Sequence, residues 1–128
     1  MVLKDWFEVF IAQNFALDGL LYPVFFETLN DRLNLDYGPT IAMLTRFPRE
    51  WFADNSKWVD AVIKTAAAES PANRALLSDW SRVWRDRAAA ALIPVVAKAF
   101  GADAPSVLAE AVQRLDARAK KLGLAVQE

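Results

Sequence analysis

The residues best placed to do chemistry are two aspartates that stand among apolar neighbours. Asp54 interrupts a row of large apolar residues spaced three or four apart, so the row shares one face of a helix. Asp18 has Asn14 one helical turn before it. Either carboxylate could be a metal ligand or a general base, but buried charges are normally paired. We therefore favour packing roles: Asp54 paired with Lys57 or another helix, or at a wet edge, and Asp18 in a narrow polar seam with Asn14.

The side chains most used in catalysis do not occur. The sequence has no Cys and no His, which excludes disulfides and thiolate chemistry and removes the usual general base and the commonest ligand for zinc and non-haem iron. Phosphate-cradling glycine loops, nucleophile elbows and paired-acid motifs are also lacking. We therefore expect no catalytic, cofactor-binding or metal-ligating residue in this chain.

Tryptophans and arginines form a second grouping. Trp80 and Trp84 lie one turn apart among Arg82, Arg85 and Arg87, an arrangement able to stack bases or hold a ligand through cation-π contacts. Helical spacing favours core or interface anchoring instead. A net charge of -1 gives no general attraction to phosphate backbones or anionic lipid, so we expect neither a nucleic-acid nor a membrane partner.

The composition is that of one helical domain, residues 1–128, with apolar surface to spare. Hydrophobic residues make up 55% of the chain and include five Trp and eight Phe, so part of that surface is expected to face a partner. The most apolar run, residues 88–100, is too short to span a bilayer. The first residues lack the basic region and small-residue cleavage site of a secretory signal, so the cytoplasm is the expected compartment. Arg118, Lys120 and Lys121 are expected to form a solvated last helical turn.

Apolar residues recur at helical spacing almost throughout, which predicts an all-α fold. Short connections favour antiparallel neighbours, so the architecture is an antiparallel helix bundle of about four helices. Pro23, Pro48 and Pro94 fall inside the helical patterns, and each predicts a kink or a break. The predicted helices run from about Leu3 to Arg32, Pro39 to Glu69, Pro71 to Gly101 and Asp103 to Gly123.

Two of these helices have informative faces. The first is apolar on nearly every side, which is typical of a helix buried on several sides. The second has the clearest single stripe, formed by Leu44, Phe47, Trp51, Asp54, Trp58 and Val62.

Several stretches carry a family resemblance. They are Asp-Trp-Phe-Glu at 5–8, Ala-Gln-Asn-Phe-Ala-Leu-Asp-Gly-Leu-Leu at 12–21, Ala-Met-Leu-Thr at 42–45, Lys-Trp-Val-Asp-Ala at 57–61, Asn-Arg at 73–74, and the ending at 115–118 and 121–124. Together they resemble the β subunit of bacterial multicomponent monooxygenase hydroxylases, nearest the phenol hydroxylase and toluene monooxygenase type, from about Val2 to Gly123.

The resemblance implies a ferritin-like bundle without metal, beside a catalytic α subunit that holds a carboxylate-bridged di-iron centre. Laid on the ligand pattern of the α subunit, Leu17 falls near a helix glutamate, and Trp51 and Asp54 fall where a Glu-x-x-His pair would stand. Leu and Trp cannot bind iron. The resemblance thus implies a vacant site in which Asp54 is a leftover polar position, with di-iron expected only in the partner.

The chain departs from the family in length. A complete β subunit has a long N-terminal half that includes the first helix pair of the bundle, so we expect a C-terminal part of such a subunit, whether truncated, excised or split. Half a bundle would expose the apolar faces of the first two helices. Those faces would have to be covered by self-association or by a missing piece.

We therefore expect a non-catalytic structural subunit, or a fragment of one, in a hydroxylase that inserts one oxygen atom from O2 into phenol-like, toluene-like or small hydrocarbon substrates. Its partner would be the α subunit of the same complex. The alternative is a stand-alone helical interaction module that forms homo-oligomers and has no enzyme activity. In either case Trp51, Trp58, Trp80 and Trp84 are expected to anchor helix packing or the subunit contact.

Overall fold

The structure, a computed structural model, describes residues 5–125, and nearly all of them are helical. The helices are α1 (Trp6–Tyr37), α2 (Thr40–Leu44), α3 (Arg46–Glu69), α4 (Pro71–Phe100) and α5 (Ala104–Lys121). Within α1, the segments Ile11–Leu17 and Pro23–Thr28 are π-helical, and a 3-10 turn, Gly101–Asp103, leads from α4 into α5. No strand occurs in the described range. The prediction of an all-α fold with four long helices is confirmed.

Contacts along α1 and α3 show that the two helices are antiparallel. Near the start of α1, the Phe10 ring lies 5.5 Å from that of Trp58 in the middle of α3. Near the end of α1, the buried Asn30 accepts a 2.7 Å hydrogen bond from Thr45, immediately before α3. One non-helical residue, Ser70, separates α3 from α4, so α4 turns back along α3.

The Ser70 junction between α3 and α4 is held from both sides. Ser70 is the N-cap of α4, and its Oγ accepts a 3.0 Å hydrogen bond from the backbone N–H of Asn73. The Asn73 side chain reaches back across the junction and donates to the carbonyl of Ala66 and to the carboxylate of Glu69, each at 3.2 Å. The last turn of α3 and the first turn of α4 are thereby bonded to each other.

Helix α5 runs antiparallel to α1 at close range. The Arg118 guanidinium lies 4.9 Å from the centre of the Phe15 ring, and Leu115 packs where Gly19 lacks a side chain. A Cβ on Gly19 would lie 2.6 Å from Leu115 Cδ1, closer than carbon atoms can approach. Glycine at this position therefore sets the separation of the two helices.

The core lies around α1, which contacts α3, α4 and α5. This arrangement explains why the sequence of α1 is apolar on nearly every side. The fully buried apolar residues come from all four long helices and include Ile11, Phe15, Leu20 and Val24 of α1, Val59 and Ile63 of α3, Val96 of α4 and Leu115 of α5.

The prolines do not act alike. Pro48 stands in the first turn of α3 and cannot donate to the carbonyl of Leu44, so the second predicted helix is interrupted at Thr45 and becomes α2 and α3. Pro23 begins the second π segment of α1, whereas Pro94 lies inside α4 without ending it. The first helix also continues past the predicted end at Arg32.

Two stretches, Trp6–Tyr37 and Pro71–Lys121, are long and apolar enough to cross a membrane by length and composition alone. They exceed the shorter apolar run expected from the sequence. Core helices of globular proteins pass the same test, and these two stretches are joined by an ion pair between Arg32 and Asp103 at 3.1 Å.

Candidate subunit interface

Helix α3 has two apolar faces, and its own chain covers only one. The inner stripe, Val59, Ile63 and Ala67, is at most 2% exposed. The clear stripe predicted from the sequence lies on the other side, where Leu44, Phe47, Trp51 and Trp58 are 73%, 76%, 43% and 57% exposed. We call Leu44, Phe47, Trp51, Asp54 and Trp58 the outer stripe. The apolar pattern that dominates the sequence therefore faces away from the core of the chain.

Aromatic contacts from α1 hold the outer stripe in place. The edge of the Phe10 ring meets Trp58, and the Tyr22 ring lies 5.6 Å from Trp51. Tyr22 also stacks on Phe52, with ring centres 4.9 Å apart. Trp51 and Trp58 each pack against a ring of α1 on one side while the other side stays exposed. This arrangement is typical of interface anchors.

Asp54 belongs to the outer stripe and is not buried. Its side chain is 83% exposed, and its nearest partner is Lys57 at 4.0 Å. It lines a shallow depression of about 320 Å³ with Phe47 and Trp51. An exposed pair at this distance contributes little to stability. Of the roles expected for Asp54, the structure therefore agrees with a residue at the solvent-exposed edge of the stripe, near Lys57.

The residues of this chain do not fit a di-iron centre. Leu17 packs against the core and Trp51 against an α1 ring, while Asp54 points to the surface. Across residues 5–125, no three His, Cys, Asp or Glu side chains form a group that could hold a metal ion. The identity of Leu17, Trp51 and Asp54 as positions of a vacant site stays a prediction that follows from the family resemblance.

The other two tryptophans serve the chain's own packing. Trp80 is partly buried and packs against the core. Trp84 Nε1 donates a 3.0 Å hydrogen bond to the Glu8 carboxylate at the start of α1, and the Arg87 guanidinium lies 4.8 Å from the Trp84 ring centre. The four tryptophans therefore form two groups, one on the outer stripe and one between α4 and α1.

The arginines beside these tryptophans point to separate partners. Arg85 is buried and bonds Asp116 of α5 at 2.9 Å and its neighbour Asp86 at 2.8 Å. Burial opposes the charged guanidinium, but the hydrogen bonds that Arg85 donates to Asp116 and Asp86 outweigh it and raise the pKa of Arg85. Arg82 pairs with Asp79 on the surface. A shared surface for stacking bases is therefore not formed.

Two other sequence expectations are corrected. Arg118 is not solvated: it is partly buried, donates to Asp60 at 2.7 Å and stacks on Phe15. Asp18 is partly buried, and burial raises the pKa of its carboxyl; in the described part of the chain no hydrogen bond joins it to Asn14. Sequence periodicity could not reveal Arg118, because its partners lie on other helices.

The comparisons with known proteins agree with this fold. Residues 1–70, more than half of the chain, match the model of the methane/phenol/alkene hydroxylase family. The chain belongs to the methane/phenol/alkene hydroxylase family. This confirms the resemblance to a subunit of phenol hydroxylase type.

The family members that the chain matches are longer proteins. It is 41% identical over 127 residues to the phenol 2-monooxygenase oxygenase component DmpL of Pseudomonas sp. strain CF600, covering 99% of this chain and 38% of that protein. The chain is also 37% identical over 121 residues to the corresponding component MhpL of Acinetobacter pittii strain PHEA-2. That match covers 94% of this chain and 36% of MhpL. The chain thus spans little more than a third of these relatives.

A solved structure supports the same assignment. The crystal structure of xenon-pressurised phenol hydroxylase from Pseudomonas sp. OX1 superposes with a TM-score of 0.86 at 35% sequence identity. The match covers 98% of this chain and 38% of that one. The helix arrangement described above is therefore shared with a phenol hydroxylase component.

Proposed function

We propose that the chain is a non-catalytic structural part of a multicomponent monooxygenase hydroxylase of the phenol hydroxylase type, and that the outer stripe is its assembly surface. The observation that carries the proposal is a row of exposed aromatic side chains, Phe47, Trp51 and Trp58, of which the two tryptophans pack against rings of α1. Membership of the family supports it, as does the name of the relative DmpL, an oxygenase component of phenol 2-monooxygenase.

The residue types of the chain support the proposal of a non-catalytic role. The sequence has neither His nor Cys. The one acidic residue of the outer stripe, Asp54, is exposed to solvent, and its ion-pair partner is Lys57. In the proposal, di-iron chemistry belongs to the partner α subunit of the same cytoplasmic complex, which inserts one oxygen atom from O2 into a phenol-like, toluene-like or small hydrocarbon substrate. The chain contributes half of a ferritin-like bundle to that assembly.

The outer stripe has the physical properties of an interface centre. Aromatic residues are enriched at protein contacts, and a few of them carry most of the binding free energy. Phe47, Trp51 and Trp58 expose large apolar side chains on one face of α3, and such exposure is unfavourable in water. Burial of this surface by helices of the α subunit would complete a bundle around α1 and α3.

The experiment is co-expression with a tagged phenol hydroxylase α subunit, followed by affinity capture and measurement of mass in solution. The wild-type chain should be retained in a fixed ratio, and the double variant Trp51→Ser/Trp58→Ser should lose at least 10-fold in retention, since truncation of a central aromatic anchor typically costs about 2 kcal/mol or more.

The control is Val95→Ser, which removes a similarly exposed apolar side chain, 49% exposed, from α4. It should bind as the wild type does. A wild-type chain that is not retained contradicts the proposal. Self-assemblies of the wild-type chain that the double variant dissolves would instead support the homo-oligomeric interaction module.

A further inference from the structure

A second opening lies on another side of α3, where α1, α3 and α5 meet. It is a cavity of about 270 Å³ that opens to solvent. Its charged and polar lining differs from the aromatic outer stripe and consists of Glu27, Arg49, Ser56, Asp60, Arg114 and Arg118. Three guanidinium groups therefore face two carboxylates in this cavity.

Two of the three arginines are neutralised by acidic partners. Arg118 donates to Asp60 at 2.7 Å. Arg114 bonds Glu110 at 2.8 Å and approaches Glu27 at 3.6 Å. Both carboxylates of the cavity lining are thus already engaged with arginines of α5.

Arg49 has no such partner. Within the described residues no carboxylate lies within 4.0 Å of its guanidinium, and its Nη2 donates a 3.1 Å hydrogen bond to the backbone carbonyl of Ala42. Its Nε is buried without a hydrogen-bond partner, and so is Ser56 Oγ two turns along the same helix. Partly buried polar groups without partners cost free energy, and an uncompensated charge costs more.

We propose that Arg49 receives an aspartate or glutamate side chain of the hydroxylase partner in this cavity, as a polar contact separate from the outer stripe. A single negative charge balances the one unpaired guanidinium, and the planar fork of arginine matches a carboxylate in shape. Glu27 and Asp60 would repel a more highly charged group such as a phosphate. The inference rests on the proposed function only for the identity of the partner.

The first test uses the isolated chain with acetate as the probe, the smallest carboxylate. In NMR titrations at constant ionic strength, acetate should shift the Nε–H resonance of Arg49 in a saturable way, whereas chloride should not. The resonances of Arg114 and Arg118 should move less, because their carboxylate partners are in place. An Arg49 resonance that does not respond to acetate overturns the proposal, even if the chain binds the α subunit.

The second test uses the complex with the α subunit. Arg49→Met should weaken Kd by about 30-fold or more, the effect expected when one member of a desolvated ion pair is removed. Arg49→Lys, which keeps the charge without the fork, should fall between Arg49→Met and the wild type. Arg82→Met removes an exposed arginine of α4 and should bind normally.

Helicity measured by circular dichroism separates lost binding from lost folding. Equal affinity of the wild-type chain and a folded Arg49→Met variant overturns the proposal while leaving the outer stripe as the assembly surface. Failure of the wild-type chain to bind the α subunit would contradict the proposed function, and the acetate titration would still test the cavity.

Discussion

The two apolar stripes of α3 differ in composition as well as in burial. The inner stripe is built from Val59, Ile63 and Ala67, and the outer stripe is dominated by Phe47, Trp51 and Trp58. Aliphatic side chains of modest size fit the close approach of α1 and α4, while large aromatic rings are typical of contacts between proteins. Helix α3 therefore has two different apolar faces. The chain covers the inner one itself, and in the proposed assembly another molecule covers the outer one.

The difference also explains why the outer stripe dominates the sequence. Large aromatic residues at three- and four-residue spacing mark one face of a helix more clearly than Val, Ile and Ala do, because each aromatic side chain has more apolar surface. In an independent monomer the strongest stripe would face the core. In this chain it does not, which is the reason that the stripe indicates assembly.

The most direct test of the difference between the two stripes is to truncate one residue of each and compare the losses in stability. Ile63→Ala should lower the free energy of unfolding of the isolated chain by about 2 to 5 kcal/mol, because Ile63 is fully buried. Trp58→Ala should cost about 1 kcal/mol, chiefly its edge contact with Phe10. Urea unfolding of both variants at concentrations where the chain is monomeric measures the difference. Equal costs would show that the outer stripe belongs to the chain's own core.

A smaller effect is expected where α1 packs against α5 in the core of the chain. Gly19→Val should destabilise the chain by about 1 to 3 kcal/mol, because a Cβ there would overlap Leu115 and force α1 away from α5. Ala61→Val on the exposed side of α3 is the matched control and should cost less than about 1 kcal/mol through helix propensity. Thermal unfolding of the two variants gives the comparison. If Gly19→Val were tolerated as well as the control, the interior could not be closely packed at this point.

The smallest expected effect concerns Asp18, a partly buried residue of α1. Burial raises the pKa of this carboxyl above its ordinary value of 3.8, so in the pH range just above that value the folded chain binds more protons than the unfolded chain. The contribution of Asp18 to stability therefore falls as pH rises through the folded pKa. Asp18→Asn should remove this dependence and raise stability near neutral pH by less than about 1 kcal/mol.

Urea unfolding of the wild-type chain and Asp18→Asn between about pH 4 and 7 tests this expectation. Asp31, an exposed aspartate of α1, provides the control variant Asp31→Asn. A wild-type chain whose stability, relative to Asp18→Asn, rises with pH in this range would show that the carboxylate is favourably paired in the folded state.

The sequence was sufficient for the fold because its information is local. Helical spacing, Gly38 and the Ser70-Pro71 pair predicted the long helices and two of their connections. The break at Thr45 was not predicted in place, since Pro48 is compatible both with a first turn and with a kink. The extension of α1 to Tyr37 was also missed, because Asn34 and Asp36 interrupt the apolar pattern after Arg32 and the last residues of the helix, 35–37, are exposed.

The candidate site was predicted only in part. The anchor role of Trp51 and Trp58 stays a prediction, and periodicity alone does not say which side of a helix its own chain covers. The burial of Arg118 and the isolation of Arg49 depend on residues of α1, α3 and α5 that are distant in sequence. Such relationships exist only after the helices are packed.

The Ser70 junction has a mechanical consequence. A linker of several residues would let α3 tilt while α4 stayed still, but here the bonds of Ser70 and Asn73 span the turn in both directions. We therefore expect a displacement of α3 by a bound subunit to move the first turn of α4 as well, because these hydrogen bonds join the two helix ends.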